Sequence, residues 1–167
     1  MSLRRAAAVA GLAVCASCIY TADSSLPAHI RTVRIGAIAN RSGYPGLDAR
    51  LAAELARAFH VDGTLRPVAS GGDAVLAVSV VAVRRGVVQE DVYDDVVTGR
   101  VVVTASVSLE DRSSGKNLLD RTVVSSAETQ PAAGLYRLRR GETETEARAS
   151  AVSELAWNIV RRVVEVW

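Results

Sequence analysis

Arg100-Val101-Val102-Val103-Thr104-Ala105-Ser106-Val107-Ser108-Leu109-Glu110 carries the cleanest alternation in the chain. Val101, Val103, Ala105, Val107 and Leu109 share one face, and Arg100, Thr104, Ser106, Ser108 and Glu110 share the other. Side chains leave a strand alternately on its two sides, so this spacing predicts a strand with one buried face. Arg112-Ser113-Ser114-Gly115-Lys116 then reads as a tight hairpin connection, with a glycine available for a positive φ. Leu118 to Ser125 is the returning antiparallel strand. Upstream, Asp73 to Val83 is nearly all Ala and Val, as expected of a strand deep in a sheet. Arg84-Arg85-Gly86 is expected to end it, and the acidic stretch from Glu90-Asp91 to Asp94-Asp95 falls in the connection that follows.

Further out, Val33, Ile35 and Ala37 alternate with Arg34, Gly36 and Ile38, a second strand signal. Asn40 to Gly46 is a turn cluster. Leu47, Leu51, Leu55, Ala58 and Phe59 recur at helical spacing opposite Asp48, Arg50, Glu54 and Arg57, predicting an amphipathic helix over about 47–60, stopped by Asp62-Gly63. Residues 61–72 read as a short extended piece and a loop, and 126–141 as loop. From Glu142 a long helix is expected to the end, its buried face marked by Val152, Leu155, Ile159 and Val163. Glutamates at its start and Arg161-Arg162 near its end suit the helix dipole. The order is β-α-β-β-β-α. The expected fold is α+β, a four-stranded mixed sheet with two helices packed on one face. The first two main strands would be parallel through the helical crossover and the last three a meander. Twenty-six valines fit a covered sheet.

Composition narrows function. The chain has 167 residues, 49% of them hydrophobic and 23% charged, a globular balance for one domain. Aromatics are 4%, too few for base-stacking platforms, so nucleic-acid binding is not expected. Residues 1–18 combine Arg4-Arg5, an apolar stretch from Ala6 to Val14 and small residues before Cys18, the pattern of an export signal too short to span a bilayer. Cys18 reads as a lipidation site after a signal peptide of residues 1–17, although Cys15 stands where Leu, Val or Ile is usual. Residues 18–31 then form a lipidated tether and 32–167 a single domain. Ile19 rather than Asp favours the outer membrane. With Arg4 and Arg5 removed, the formal charge of +2 falls to zero, and bulk charge ceases to argue for any partner.

No catalytic set emerges. His29 lies in the tether and His60 at a helix end, where surface or capping roles are expected. Cys15 and Cys18 lack the second Cys/His pair of a zinc site. The acidic stretch 90–95 fits no calcium loop, and no phosphate-binding P-loop is present. The reading is a non-enzyme with no metal and no cofactor. Arg112, Lys116 and Arg121 gather around the hairpin, with Arg84-Arg85 ending a neighbouring strand. Such residues can hold phosphates by charge-assisted hydrogen bonds, or merely blunt the sheet ends.

The chain resembles the outer-membrane lipopolysaccharide-assembly lipoproteins that partner the lipopolysaccharide-translocating barrel. The resemblance runs through Cys18-Ile19-Tyr20, Leu26-Pro27-Ala28-His29-Ile30, Val33-Arg34-Ile35, Asn40-Arg41-Ser42, Pro45-Gly46-Leu47, Gly72-Asp73-Ala74-Val75-Leu76 and Leu109 to Lys116. It continues from Glu142 through Ala147 to Leu155-Ala156, Ile159-Val160 and Trp167. It implies a lipid-anchored protein on the periplasmic side of the outer membrane that plugs the translocon β-barrel, assists its assembly and binds lipopolysaccharide. Arg121, with Lys116 and Arg112 behind it, is the implied contact for lipid A phosphates. The competing reading is a lipoprotein of the curli-export or peptidoglycan-synthase-activator type, which also opens with a Val-x-Ile strand and an Asn turn but has a larger α/β core.

Overall fold

Residues 74–90 and 96–111 pair into one long antiparallel ribbon, and the rest of the sheet assembles on its two sides. The computed structural model describes residues 26–90 and 96–165. In chain order the elements are β1 (Thr32–Ile35), β2 (Ala39–Asn40), α1 (Leu47–Asp62), β3 (Arg66–Val68), β4 (Ala74–Glu90), β5 (Val96–Asp111), β6 (Asn117–Ser125), β7 (Leu135–Arg137) and α2 (Glu144–Val164). The sheet is mixed, with main order β3-β1-β4-β5-β6; β2 adds to β4 and β7 to β5. β1 runs parallel to both β3 and β4, whereas β4, β5 and β6 are antiparallel.

The α+β class and the mixed sheet are as expected, but the sheet has seven strands rather than four. The three extra strands are two or three residues long, too short for side-chain alternation to mark them. β4 also runs past Arg84-Arg85-Gly86 to Glu90, because its backbone pairs with the outer half of β5 whatever its side chains are. Arg84 to Glu90 are all exposed, so hydropathy carried no strand signal there. The segment expected as loop over 126–141 holds β7 and a 3-10 turn at Leu138–Arg140. Tyr136 of β7 lies across Gly99 of β5, where any side chain would collide with the ring.

Both helices contribute to one core. Leu51, Leu55 and Phe59 of α1 and Val152, Leu155, Ile159 and Val163 of α2 are buried with Leu76, Val78 and Val80 of β4 and Val101, Val103, Ala105, Val107 and Leu109 of β5. Each large aliphatic or aromatic side chain there gains roughly 1.5–3 kcal/mol from leaving water. α2 starts at Glu144 rather than Glu142, and the reason is local. Thr143 forms a capping box with Glu146, and the Glu142 carboxylate is occupied by the Arg137 N–H at 2.7 Å. Buried Asn158 ties α2 to the end of β6, donating to the Ser125 carbonyl and accepting from Thr129. No helix among the described residues is long and apolar enough to cross a membrane.

Candidate functional site

The face of the sheet opposite the helices follows from the same alternation. Ala77, Ser79 and Val81 of β4 and Ser106 and Ser108 of β5 point there, all small, and with Ala37, Ala39, Arg41 and Arg121 they line a shallow groove of about 580 Å³. The Ser79 hydroxyl is enclosed in this region without a hydrogen-bond partner among the described residues.

Arg121 reaches the groove through a defect in the ladder. Val107 pairs with Thr122 and Leu109 with Leu119, so Asp120 and Arg121 together oppose Ser108. Arg121 has φ 41°, the one positive value among described non-glycine residues, and its N–H donates to the Ser108 hydroxyl at 3.0 Å. A bulge of this kind re-aims a side chain, and the left-handed backbone stores strain on the order of 1–2 kcal/mol. Arg41, just beyond β2, donates its N–H to the Val80 carbonyl and completes a pair of cations on one apolar, hydroxyl-bearing surface.

Arg112 and Lys116 lie elsewhere, in the β5–β6 turn at the end of the sheet. The Arg112 guanidinium contacts the Gly72 carbonyl at 3.5 Å, and its N–H donates to the Asp73 carbonyl. The turn is organised by Asp111, which is buried and accepts from the hydroxyls of Ser114 at 2.7 Å and Ser113 at 2.8 Å, from the Ser113 N–H, and from His29 at 3.1 Å. Asp73 does the same for the incoming chain, taking the Thr32 hydroxyl and the N–H groups of Arg31 and Thr32. The structure thus separates the three sequence candidates into a turn pair and a groove residue.

His29, Asp111 and Ser113 resemble a hydrolase triad only in composition. One ring nitrogen, Nε2, faces both the carboxylate and the hydroxyl, and the Ser113 hydroxyl donates to Asp111. A relay needs both ring nitrogens, so this cluster is a clamp on the N-terminal segment. Leu26 and Ile30 on either side of it are buried in the core. His60 is exposed in the last turn of α1. No group of three or more His, Cys, Asp or Glu is placed to hold a metal among the described residues. Cys15, Cys18 and Asp91, Asp94 and Asp95 lie outside the described residues. Arg84 and Arg85 sit within β4 rather than at its end, and Arg85 pairs with Glu144 of α2 at 3.3 Å.

The clamp has a pH signature. The Ser114 hydroxyl first, then the Ser113 hydroxyl and N–H and His29, hold the Asp111 carboxyl far below the usual carboxylate range; Thr32 and the Arg31 N–H lower Asp73. A depressed native pKa stabilises the fold above the ordinary carboxylate pKa of about 4, and that stabilisation is lost as pH falls toward the native value. The expected result is a melting temperature that drops below about pH 4. Asp111→Asn should lower it at neutral pH and flatten the acid limb. Parallel pH profiles for both proteins would exclude this role.

Arg41 and Ser79 were not singled out by sequence reasoning. Arg41 sits in a turn and Ser79 in a run of Ala and Val, and only the sheet brings them onto one groove with Arg121. Comparison with curated proteins finds no match. Among solved structures, a minor lipoprotein from Acinetobacter baumannii superposes with a TM-score of 0.53 at 15% identity, covering 81% of this chain and 92% of that one. A protein from Xanthomonas campestris gives 0.50 at 15% identity, covering 81% and 85%. At these identities the likeness is one of fold. The family model for lipopolysaccharide assembly, LptE, matches residues 30–163, from the clamp through nearly all of α2, and the chain belongs to that lipopolysaccharide-assembly family.

Proposed function

We propose that the protein is a non-enzymatic, lipid-anchored component of the outer membrane that seats in the lipopolysaccharide translocon barrel, assists its assembly and binds lipopolysaccharide on its way to the outer leaflet. In this reading residues 1–17 are removed, Cys18 carries the acyl chains, and residues 18–31 lead into the domain of 32–167. The observation that carries it, beside family membership, is the open sheet face. Arg41 and Arg121 stand over a floor of Ala, Val and Ser, which suits a ligand with phosphates on an apolar body. Arginine to phosphate is among the strongest hydrogen-bonded pairings available to a side chain. Arg121 is the primary contact, and Arg112 and Lys116 are secondary ones at the sheet end.

Arg121→Glu is expected to weaken binding of purified lipopolysaccharide about tenfold, near 1.4 kcal/mol, and Arg41→Glu by a similar factor. The bulge already places an L-residue at positive φ, so the exchange adds no backbone strain. Unchanged affinity in both variants would remove this site. Co-purification from envelopes tests the partner: a large β-barrel supports the proposal, and a peptidoglycan synthase supports the competing lipoprotein reading.

A further inference from the structure

Arg84 and Arg85 are neighbours in sequence but leave β4 on opposite sides of the sheet. Arg85 lies on the helix side, paired across the ribbon with buried Val101 and bonded to Glu144 of α2. Arg84 is paired with Val102, which shares the uncovered side with Ser106 and Ser108 of the groove. Two residues further out, Gly86 is paired with Arg100, and Arg100 with Leu135 of β7. Arg84 and Arg100 are therefore diagonal neighbours on one face, roughly 7 Å apart at their attachment points.

This pair stands apart from the groove cations. Arg41 bonds the Val80 carbonyl, and Arg121 is bonded to Ser108, which is paired with Ala77. Counted along β4, Arg84 lies roughly 13 Å beyond the first and roughly 23 Å beyond the second. One phosphate cannot bridge such distances. Gly86 leaves open space between Arg84 and Arg100, since an added Cβ there would meet nothing within 4 Å. Arg100 is half-buried, and its Nε is enclosed without a hydrogen-bond partner among the described residues. Arg84 and Arg100 join no ion pair among the described residues. Glu142 and Glu144 are engaged by Arg137 and Arg85, and Glu90 ends β4 roughly 13 Å beyond Gly86. An enclosed guanidinium N–H left unmet is costly, and an anion entering the gap would satisfy it.

We infer that Arg84, Arg100 and the open space over Gly86 form a second phosphate site on the uncovered face, separate from the groove and occupied by a phosphate group of lipopolysaccharide. This rests on the lipopolysaccharide reading above and extends it along the sheet, from Arg121 at one station to Arg84 at another. Two guanidinium forks over exposed backbone suit a tetrahedral anion. Val102 and Leu135, across from Arg84 and Arg100, suit a phosphate carried on an apolar body over a free ion.

Arginine modification by phenylglyoxal, mapped by mass spectrometry, reads each residue of the folded chain separately. Lipopolysaccharide at about ten times its dissociation constant is expected to slow modification of Arg84 about tenfold and to leave Arg85 unchanged. Gly86→Val fills the open space with no change of charge, and Arg100→Gln keeps a polar side chain. Each is expected to raise the lipopolysaccharide concentration needed for protection about tenfold. Circular dichroism confirms that both variants are folded. Equal protection of Arg84 and Arg85, or protection of Arg84 that ignores both variants, would indicate coating by lipid aggregates and overturn the site. Protection of Arg41 and Arg121 alone overturns this inference and leaves the function proposed above standing. Protection of Arg84 without them supports this site and removes the groove. No protection at any of these arginines overturns both. Inorganic phosphate is the second probe: if it protects Arg84 and lipopolysaccharide does not, the lipid is overturned as the occupant.

Discussion

Gly134→Ala is expected to lose about 2–5 kcal/mol of folding stability, from a total on the order of 5–15 kcal/mol for a domain of this size. Gly134 is buried where the chain returns from β6 to the outer edge of β5. It has φ 75°, and its carbonyl accepts from the Val101 N–H at 2.8 Å. A Cβ there would overlap the Val101 carbonyl oxygen and press on Ala151 of α2 at 3.3 Å. The partner is backbone of a central strand, which cannot step aside without breaking the ladder. Two costs therefore add, left-handed strain of about 1–2 kcal/mol and overpacking of about 1–3 kcal/mol or more. Gly115→Ala is the control. It has φ 67° with open space around it, so it carries the first cost alone. Urea midpoints compare the two, and equal losses would show that the clash is relieved by relaxation.

Phe59→Ala should cost about 3–5 kcal/mol. Phe59 is fully buried, near the end of α1, and its carbonyl accepts the Gly63 N–H that closes the helix. No other phenylalanine exists in the chain to share its volume. Removing the ring leaves a cavity between α1 and the sheet, and the surrounding Leu and Val side chains can fill only part of it. Phe59→Leu keeps most of the volume and should lose about 1.5 kcal/mol or less. Equal midpoints for the Ala and Leu variants would place Phe59 outside the load-carrying core.

The long elements were legible in the sequence because each has a repeat that its partner enforces. Val101 to Leu109 alternate with polar residues, and the helices cover only the apolar side. Leu47 to Phe59 repeat at 3.6-residue spacing for the same reason. β3 falls in the short extended piece expected within 61–72, but β2 and β7 were not legible, since two or three residues cannot display a period. The outer half of β4 was misread at Arg84-Arg85-Gly86 because an exposed ribbon is held by backbone bonds and carries no hydrophobic signature. Arg121 could be named from sequence, but not its bulge, which depends on how β6 registers against Ser108.

The sequence by itself determined the α+β class, the two amphipathic helices, the antiparallel meander and the family resemblance, because these rest on local periodicity and on the order of short motifs. The tertiary structure alone decided which cations share a surface. It parts Arg121 from the Arg112 and Lys116 turn, places it on the same groove as Arg41 with β4 and β5 between them, and uses His29 and Asp111 to fix where the N-terminal segment joins the fold. Contacts between residues so distant are set by strand order and register, which side-chain pattern within any one segment does not encode.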